Sequence, residues 1–224
     1  MGKQAKKKTA KLIRNTDRIR YPEDEAANPW LSVVLDVYHI QDTGIAVELQ
    51  EEQKKRKDKL GCHRGCGTCC LRPTVPVTDP EVKGIVWFVA KKLPADVRET
   101  VQAQLLIHRK TTQCPFLVNS VCSIYPVRPI ACRILLVFGE PCVPNEDIYL
   151  TRPKDIWVHS RDIGRKIALT LLPLYGITGK KKKIEAFESG YLNDNLTSML
   201  DLPWETMCGL EQDTKDDSIL PEAD

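Results

Sequence analysis

Nine cysteines stand at positions 62, 66, 69, 70, 114, 122, 132, 142 and 208, and eight of them fall within residues 62–142. The first four lie in G-C-H-R-G-C-G-T-C-C, Gly61 to Cys70, with the spacing C-x3-C-x2-C-C; the next four follow as C-x7-C-x9-C-x9-C. A thiolate is soft, anionic and strongly donating, so it suits Zn²⁺ and iron–sulfur clusters and poorly suits Mg²⁺ or Ca²⁺. Four thiolates complete a tetrahedral zinc site or hold one cubane. Gly61, Gly65 and Gly67 let the backbone turn tightly and aim amides at sulfur. Arg64, Arg72, Arg128 and Arg133 are close in sequence and are expected to offset the charge of a thiolate-bound centre. Side chains of adjacent residues diverge, so Cys69 and Cys70 are not expected to bind one metal in the same way, and Cys70 is the candidate exchangeable position. Cys208, alone in T-M-C-G, reads as a small buried hydrophobe.

Other chemistries compete for this pattern. C-x3-C-x2-C is also the spacing of radical S-adenosylmethionine enzymes, but there it follows the first strand of a β/α barrel, and this chain lacks alternating βα units. A conventional zinc finger wants two C-x2-C or Cys/His knuckles, and only Cys66 and Cys69 form such a pair here. His63 lies among the cysteines; as a loop histidine it fits solvent equally well. No glycine-rich phosphate loop and no G-x-S-x-G motif is present. Among metal-free roles, a thiol redox switch remains.

The elements that must position these thiols are mostly helical. Asn28-Pro29-Trp30 predicts a helix start, with Asn as N-cap and Pro at the first position. Trp30, Val33, Val34 and Val37 recur at helical spacing, and Asp42-Thr43-Gly44 is expected to break the helix before a second piece with Ile45 and Leu49. Thr78-Asp79-Pro80-Glu81 matches a capping box and predicts a helix to about residue 92. Pro94 opens the next, ending near residue 110. Residues 111–152 are rich in Pro and Cys and predict loops with short helical turns. Asp155 is expected to cap a long helix with Ile156, Ile163, Ile167 and Leu171 inward, ended by Gly176, Gly179 and Lys180 to Lys183, with a weaker helix over 184–200. The two cysteine groups flank a predicted helical hairpin, so folding it back brings them together. Tyr125-Pro126-Val127-Arg128-Pro129 is stiffened by two prolines, and Pro129 starts a short helix that presents Cys132. Arg128 is thereby fixed, either on backbone carbonyls near the centre or as an anion- or cofactor-binding residue beside it. Phe116, Leu117 and Ile124 form its apolar jacket.

Length and charge bound the rest. The chain has 224 residues, 42% of them hydrophobic and 28% charged, enough for a sizeable core without rescue by cysteines. Its net charge of +3 hides a split. Residues 1–20 hold eight Lys or Arg against Asp17, and the last fourteen residues hold six acids against Lys215. The basic segment is a disordered tail or a weak contact for acidic partners or nucleic acid. The longest aliphatic or aromatic run, Ile85 to Ala90, is far short of a membrane span. The N-terminus lacks the apolar stretch of a secretion signal. A cytoplasmic, reducing setting is therefore expected, which disfavours a disulfide framework.

G-C-H-R-G-C-G-T-C-C, C-P-F-L from Cys114 and C-S-I-Y-P-V-R-P-I-A-C-R from Cys122 together resemble the YkgJ-type cysteine-cluster family. That family is described as zinc- or iron-chelating and carries the C-x3-C-x2-C-C signature. The resemblance spans roughly residues 58–140 and implies that Cys62, Cys66, Cys69, Cys70, Cys114, Cys122 and Cys132 match family cysteines, with Cys142 added. Flagellin lysine N-methylases carry a similar cluster, but they are longer, and no S-adenosylmethionine site is recognisable here.

The expectation is a mainly α, single helical domain whose two Cys-rich loop regions converge on a metal site. Residues 1–27 form a basic tail, 28–175 the helical domain with its signature at 58–142, 176–208 a helical extension and 209–224 an acidic tail. The metal ligands are Cys62, Cys66, Cys69, Cys70, Cys114, Cys122, Cys132 and Cys142, with Arg128 on the cofactor. An iron–sulfur cluster is preferred over zinc. Three roles follow: a metal-binding accessory or redox protein, an iron–sulfur enzyme acting on protein side chains, or a metal-free thiol sensor.

Overall fold

Pro29 locks the first turn of the longest helix, where its missing N–H costs nothing. The computed structural model describes residues 17–63, 65–71 and 75–210. The tails, Arg64 and Arg72 lie outside the described residues, and with them the expected tail contact and two of the four arginines. The helix preceding Pro29 is α1, Pro22–Ala27, and the long one is α2, Pro29–Lys55. Asn28 does not cap α2 with its side chain; its Nδ2 donates back to the Asp24 carbonyl at 3.1 Å. The basic tail expected through residue 27 stops earlier. Arg18 donates to Glu25 and Asp36 and to the Ser32 hydroxyl and carbonyl, which binds residue 18 to α1 and α2.

The expected break at Asp42-Thr43-Gly44 does not occur, and α2 runs through it. One interior glycine costs roughly 1 kcal/mol, too little to end a packed helix. Gly44 is there because α7, Arg161–Leu171, crosses α2 at this point: a Cβ on Gly44 would lie 2.6 Å from Ile163 Cδ1. The face of α2 bearing Leu31, Val34, Leu35, Tyr38, Ile45 and Leu49 is buried.

The capping box forms as expected at the head of α3, Asp79–Lys91. Helix α4, Ala95–Ile107, follows Pro94, and a 3-10 turn over His108–Lys110 completes the predicted span. Helix α7 begins at Ser160, whose side chain accepts from Ile163 N–H, not at Asp155. Residues 153–155 form a 3-10 turn, and Ile156 is a strand residue, because residues 156–157 pair with the segment after the cysteine helix. Lys180 to Lys183 do not end a helix; they are the first turn of α8, Lys180–Glu188, where Lys183 Nζ reaches the Leu169 carbonyl at 3.1 Å. Helix α9, Tyr191–Asp194, and helix α10, Trp204–Met207, complete the C-terminal part.

The fold is mainly α, and the described strands are only two residues long. β1, Pro76–Val77, pairs with β6, Thr197–Ser198. β2, Leu117–Val118, and β3, Val121–Cys122, form a hairpin whose turn residues Asn119 and Ser120 both have positive φ, as a two-residue turn matching strand twist requires. β4, Leu136–Val137, pairs with β5, Ile156–Trp157. Two more short helices lie here: α5, Ile130–Ile134, and α6, Ile148–Thr151. The main core unites α2, α3, α4 and α7; a smaller cluster joins Ile45 and Leu49 to Phe138 and Trp157. No described helix is long and apolar enough to cross a membrane.

Candidate metal centre

The signature begins where the chain leaves α2 and pairs with the segment after α5. Gly61 N–H donates to Val137 O at 2.8 Å, and Gly139 N–H donates to Lys59 O at 2.8 Å. A side chain on Gly61 would meet the Glu140 carbonyl at 2.9 Å, so glycine here permits the close approach of two backbones. That approach delivers an amide to sulfur, since Val137 N–H donates to Cys62 Sγ at 3.4 Å. The donor comes from β4 rather than from the signature glycines.

A 3-10 turn over Thr68–Leu71 then carries Cys69 and Cys70. The Cys70 thiol beside it and burial push the Cys69 thiol upward. The second cysteine group joins here. Cys114 N–H donates to Cys70 O at 2.8 Å. Cys122 closes the β2–β3 hairpin, and Cys132 sits in α5.

Two thiol neighbourhoods result. Cys132 feels Cys70, Cys122 and Cys69, and with Cys114 these form an inner set. Cys62 feels Cys66, Cys142 and Cys69, which define an outer set sharing Cys69. The neighbouring Cys114 thiol, with burial, pushes the Cys70 thiol up to about 12. Burial pushes Cys62 up to about 11 and raises Cys122, Cys132 and Cys142 as well. These proximities stop short of a coordination shell: among the described residues, no three His, Cys, Asp or Glu side chains are grouped to hold a metal ion. The expected convergence on one site is thus only partial, a Cys70–Cys114 link with neighbours around it. Cys208 stands apart, packed on the main core, and burial alone raises it to about 11.

The two arginines have separate tasks. Arg133 is 3% exposed; its Nε donates to Arg128 O at 2.9 Å, Nη2 to Pro126 O at 2.8 Å and Nη1 to Asp42 at 2.5 Å. It is the carbonyl-bonding structural arginine, and it stitches the 125–129 arm to α2. Arg128 stacks 4.1 Å over the Tyr125 ring, and its buried Nε has no hydrogen-bond partner among the described residues. Its charge favours the ionised forms of Cys69, Cys122 and Cys132.

Glu81 does more than its capping-box role. It is 1% exposed; Oε2 accepts from Thr78 N–H and Oγ1, while Oε1 accepts from Ile130 N–H at 2.6 Å. One carboxylate therefore caps α3 and the cysteine-bearing α5. The capping box announced only the local half. Phe116, Leu117 and Ile124 are buried as an apolar jacket, with Trp204 edge-on to Phe116 at 5.1 Å. On the outer side Arg152 donates to Glu146, which it holds down at about 2, and approaches Cys142 Sγ at 3.9 Å. His63 Nδ1 faces Gly61 O at 3.3 Å.

As a donor set, thiols that are half-buried apart from the buried Cys114 and the exposed Cys69, with an amide on one sulfur and an unpaired guanidinium alongside, fit a soft cation or an iron–sulfur cluster and fit no hard oxygen-seeking ion. No curated protein and no solved structure matches this chain. Residues 61–156 match the family model described as "CxxCxxCC: Putative zinc- or iron-chelating domain", in agreement with the YkgJ-type resemblance carried by the same cysteines.

Proposed function

We propose that this protein chelates iron or zinc through its clustered cysteines, with an iron–sulfur cluster preferred over zinc and an accessory or redox role in the reducing cytoplasm. The link between Cys70 and Cys114 carries the reading, because it joins the two cysteine groups across the α3–α4 hairpin. Cys69, Cys70, Cys114, Cys122 and Cys132 are the inner donors; Cys62, Cys66 and Cys142 are the outer ones. Eight thiols also suffice for two four-thiolate zinc sites. A cluster would supply one-electron transfer; zinc would supply only closure of the fold. Arg128 is the cation on the cofactor side, offsetting thiolate charge without a carboxylate of its own among the described residues. Ligand thiols must ionise on binding, so uptake releases protons and strengthens with pH.

The test is metal and acid-labile sulfide per chain after anaerobic purification, with a visible spectrum of the same sample. Iron and sulfide in near-equal amounts, absorbing at about 400 nm, are expected for a thiolate-held cluster. Zinc without sulfide sinks the iron–sulfur preference. Folded protein with neither metal overturns chelation. It leaves a thiol switch, for which the backbone bond that holds Cys114 beside Cys70 is the specific support.

A further inference from the structure

A cavity of about 290 Å³ adjoins the helix that carries Cys132. Ala131 and Ile134 of α5, Ile167 and Ala168 of α7, Ala186 of α8 and Leu192 of α9 contribute to its wall. Three of these six are alanines on three different helices, so the space is set by side-chain size in each. Protein interiors hold few voids larger than a water molecule. An apolar cavity of about 150 Å³ takes up benzene, and this volume is roughly twice that.

The polar atoms on the wall are few and mostly engaged. Glu81 spends Oε1 on Ile130 N–H and Oε2 on Thr78. His159 Nδ1 faces Ser160 O at 2.8 Å. Glu81 is the acidic group on the wall, and both its oxygens are committed to donors of the fold; it repels an anion and has little left to compensate the lost hydration of a cation. Asn193 is exposed and supplies a neutral hydrogen-bonding group at the rim. Concave, mainly apolar volumes with a few polar groups are the usual form of small-molecule sites.

We propose that this cavity binds a small, uncharged, mainly hydrocarbon molecule about the size of a fused two-ring aromatic, its polar edge toward Asn193. The occupant touches Ala131 and Ile134, so it bears directly on the helix that presents Cys132. The site stands whether or not the cysteines hold metal.

Indole is the probe, titrated into the full-length protein by calorimetry and by NMR of the His159 ring. The expected result is saturable one-to-one binding with a shift of the His159 Cε1 proton. Benzoate, similar in size but anionic, should bind at least tenfold more weakly. Ala168→Phe fills the cavity and should weaken indole at least tenfold; Ala186→Leu, on the half-buried α8, does the same if the first variant does not fold. Absence of saturable binding to folded wild-type protein overturns the proposal. So does binding without movement of the His159 signal, or binding unchanged in a folded filled variant. Equal binding of benzoate overturns the uncharged class.

Discussion

Around α2 the chain buries Leu31, Val34, Val37 and Tyr38 against α3 and α7 in elements of eleven to twenty-seven residues. Between Cys62 and Cys142, outside the α3–α4 hairpin, the elements are two to five residues long and are tied by isolated backbone hydrogen bonds and by thiols. The first region is stable by removing hydrocarbon from water. The second also buries Phe116, Ile124, Val127 and Phe138, but on short elements that leave its path to isolated backbone hydrogen bonds and to its sulfur atoms. The metal proposed for the thiols would add to the second region a constraint that the helical scaffold does not need.

The sharpest way to break this contrast is to remove the metal. Apparent binding energies of structural zinc sites are about 10–16 kcal/mol. A chelator should therefore strip hydrogen-exchange protection from β2, β3 and α5 while α2 amides retain theirs. Uniform loss across both regions would mean that they are one cooperative unit. Cys132→Ser should lower metal affinity by more than the ~10–100-fold typical of a lost supporting residue, and Cys142→Ser by less.

Next in size is a cavity in the scaffold. Leu35→Ala should cost about 2–5 kcal/mol in urea unfolding and leave metal stoichiometry unchanged. A drop in stoichiometry would show that the scaffold sets the thiols more tightly than the contrast allows. Glu81→Ala lies between the regions. It leaves buried donors on Thr78 and Ile130 unsatisfied, at about 1–3 kcal/mol each. It should lower stability and also speed thiol labelling of Cys132 in metal-free protein, whereas Leu35→Ala does only the first.

The smallest effect is in pH. In metal-free protein the Cys114 thiol beside Cys70 and the desolvation of Cys62 push these two thiols up to about 12 and 11. The folded state then binds these protons more tightly than the unfolded chain. Their contribution is complete below the ordinary thiol value of about 8.5 and is lost as pH rises through 11 to 12. In the scaffold, Arg18 holds Glu25 at about 2, so that contribution is present above about 4.3 and lost as pH falls toward 2. Urea midpoints measured across pH should have a flatter alkaline limb in Cys70→Ala and a flatter acidic limb in Glu25→Gln. Glu146, paired with Arg152, adds an acid-side term to the thiol region.

What was legible in the sequence was what residue type or near neighbours decide. The cysteines announce soft-metal chemistry by their atoms, and Thr78 with Glu81 encode a helix start within four residues. Gly44 was misread as a breaker because its reason, Ile163, lies on another helix. Asp155 and Ser160 are both credible caps; the pairing of Trp157 with Leu136 decides between them. Arg128 precedes the short helix and Arg133 lies in its last turn, and the two look equivalent in sequence. Only the positions of Asp42 and of the Pro126 and Arg128 carbonyls make Arg133 structural and leave Arg128 beside the thiols. How far the cysteines approach one another depends on loops whose paths are set by such remote partners.

The carboxylate of Glu81 also imposes an order of events on folding. It accepts from Ile130, whose segment is separated from α3 by the whole β2–β3 hairpin and the proline arm. The capping box closes locally and early, while the bond to Ile130 must wait for a long loop to close. A chain leaving the denatured state should thus assemble α3 before α5 can dock, and Cys132 is delivered last. Substitutions at Ile130 and beyond should accelerate unfolding with little change in refolding rate, whereas those in the apolar face of α3 should slow refolding.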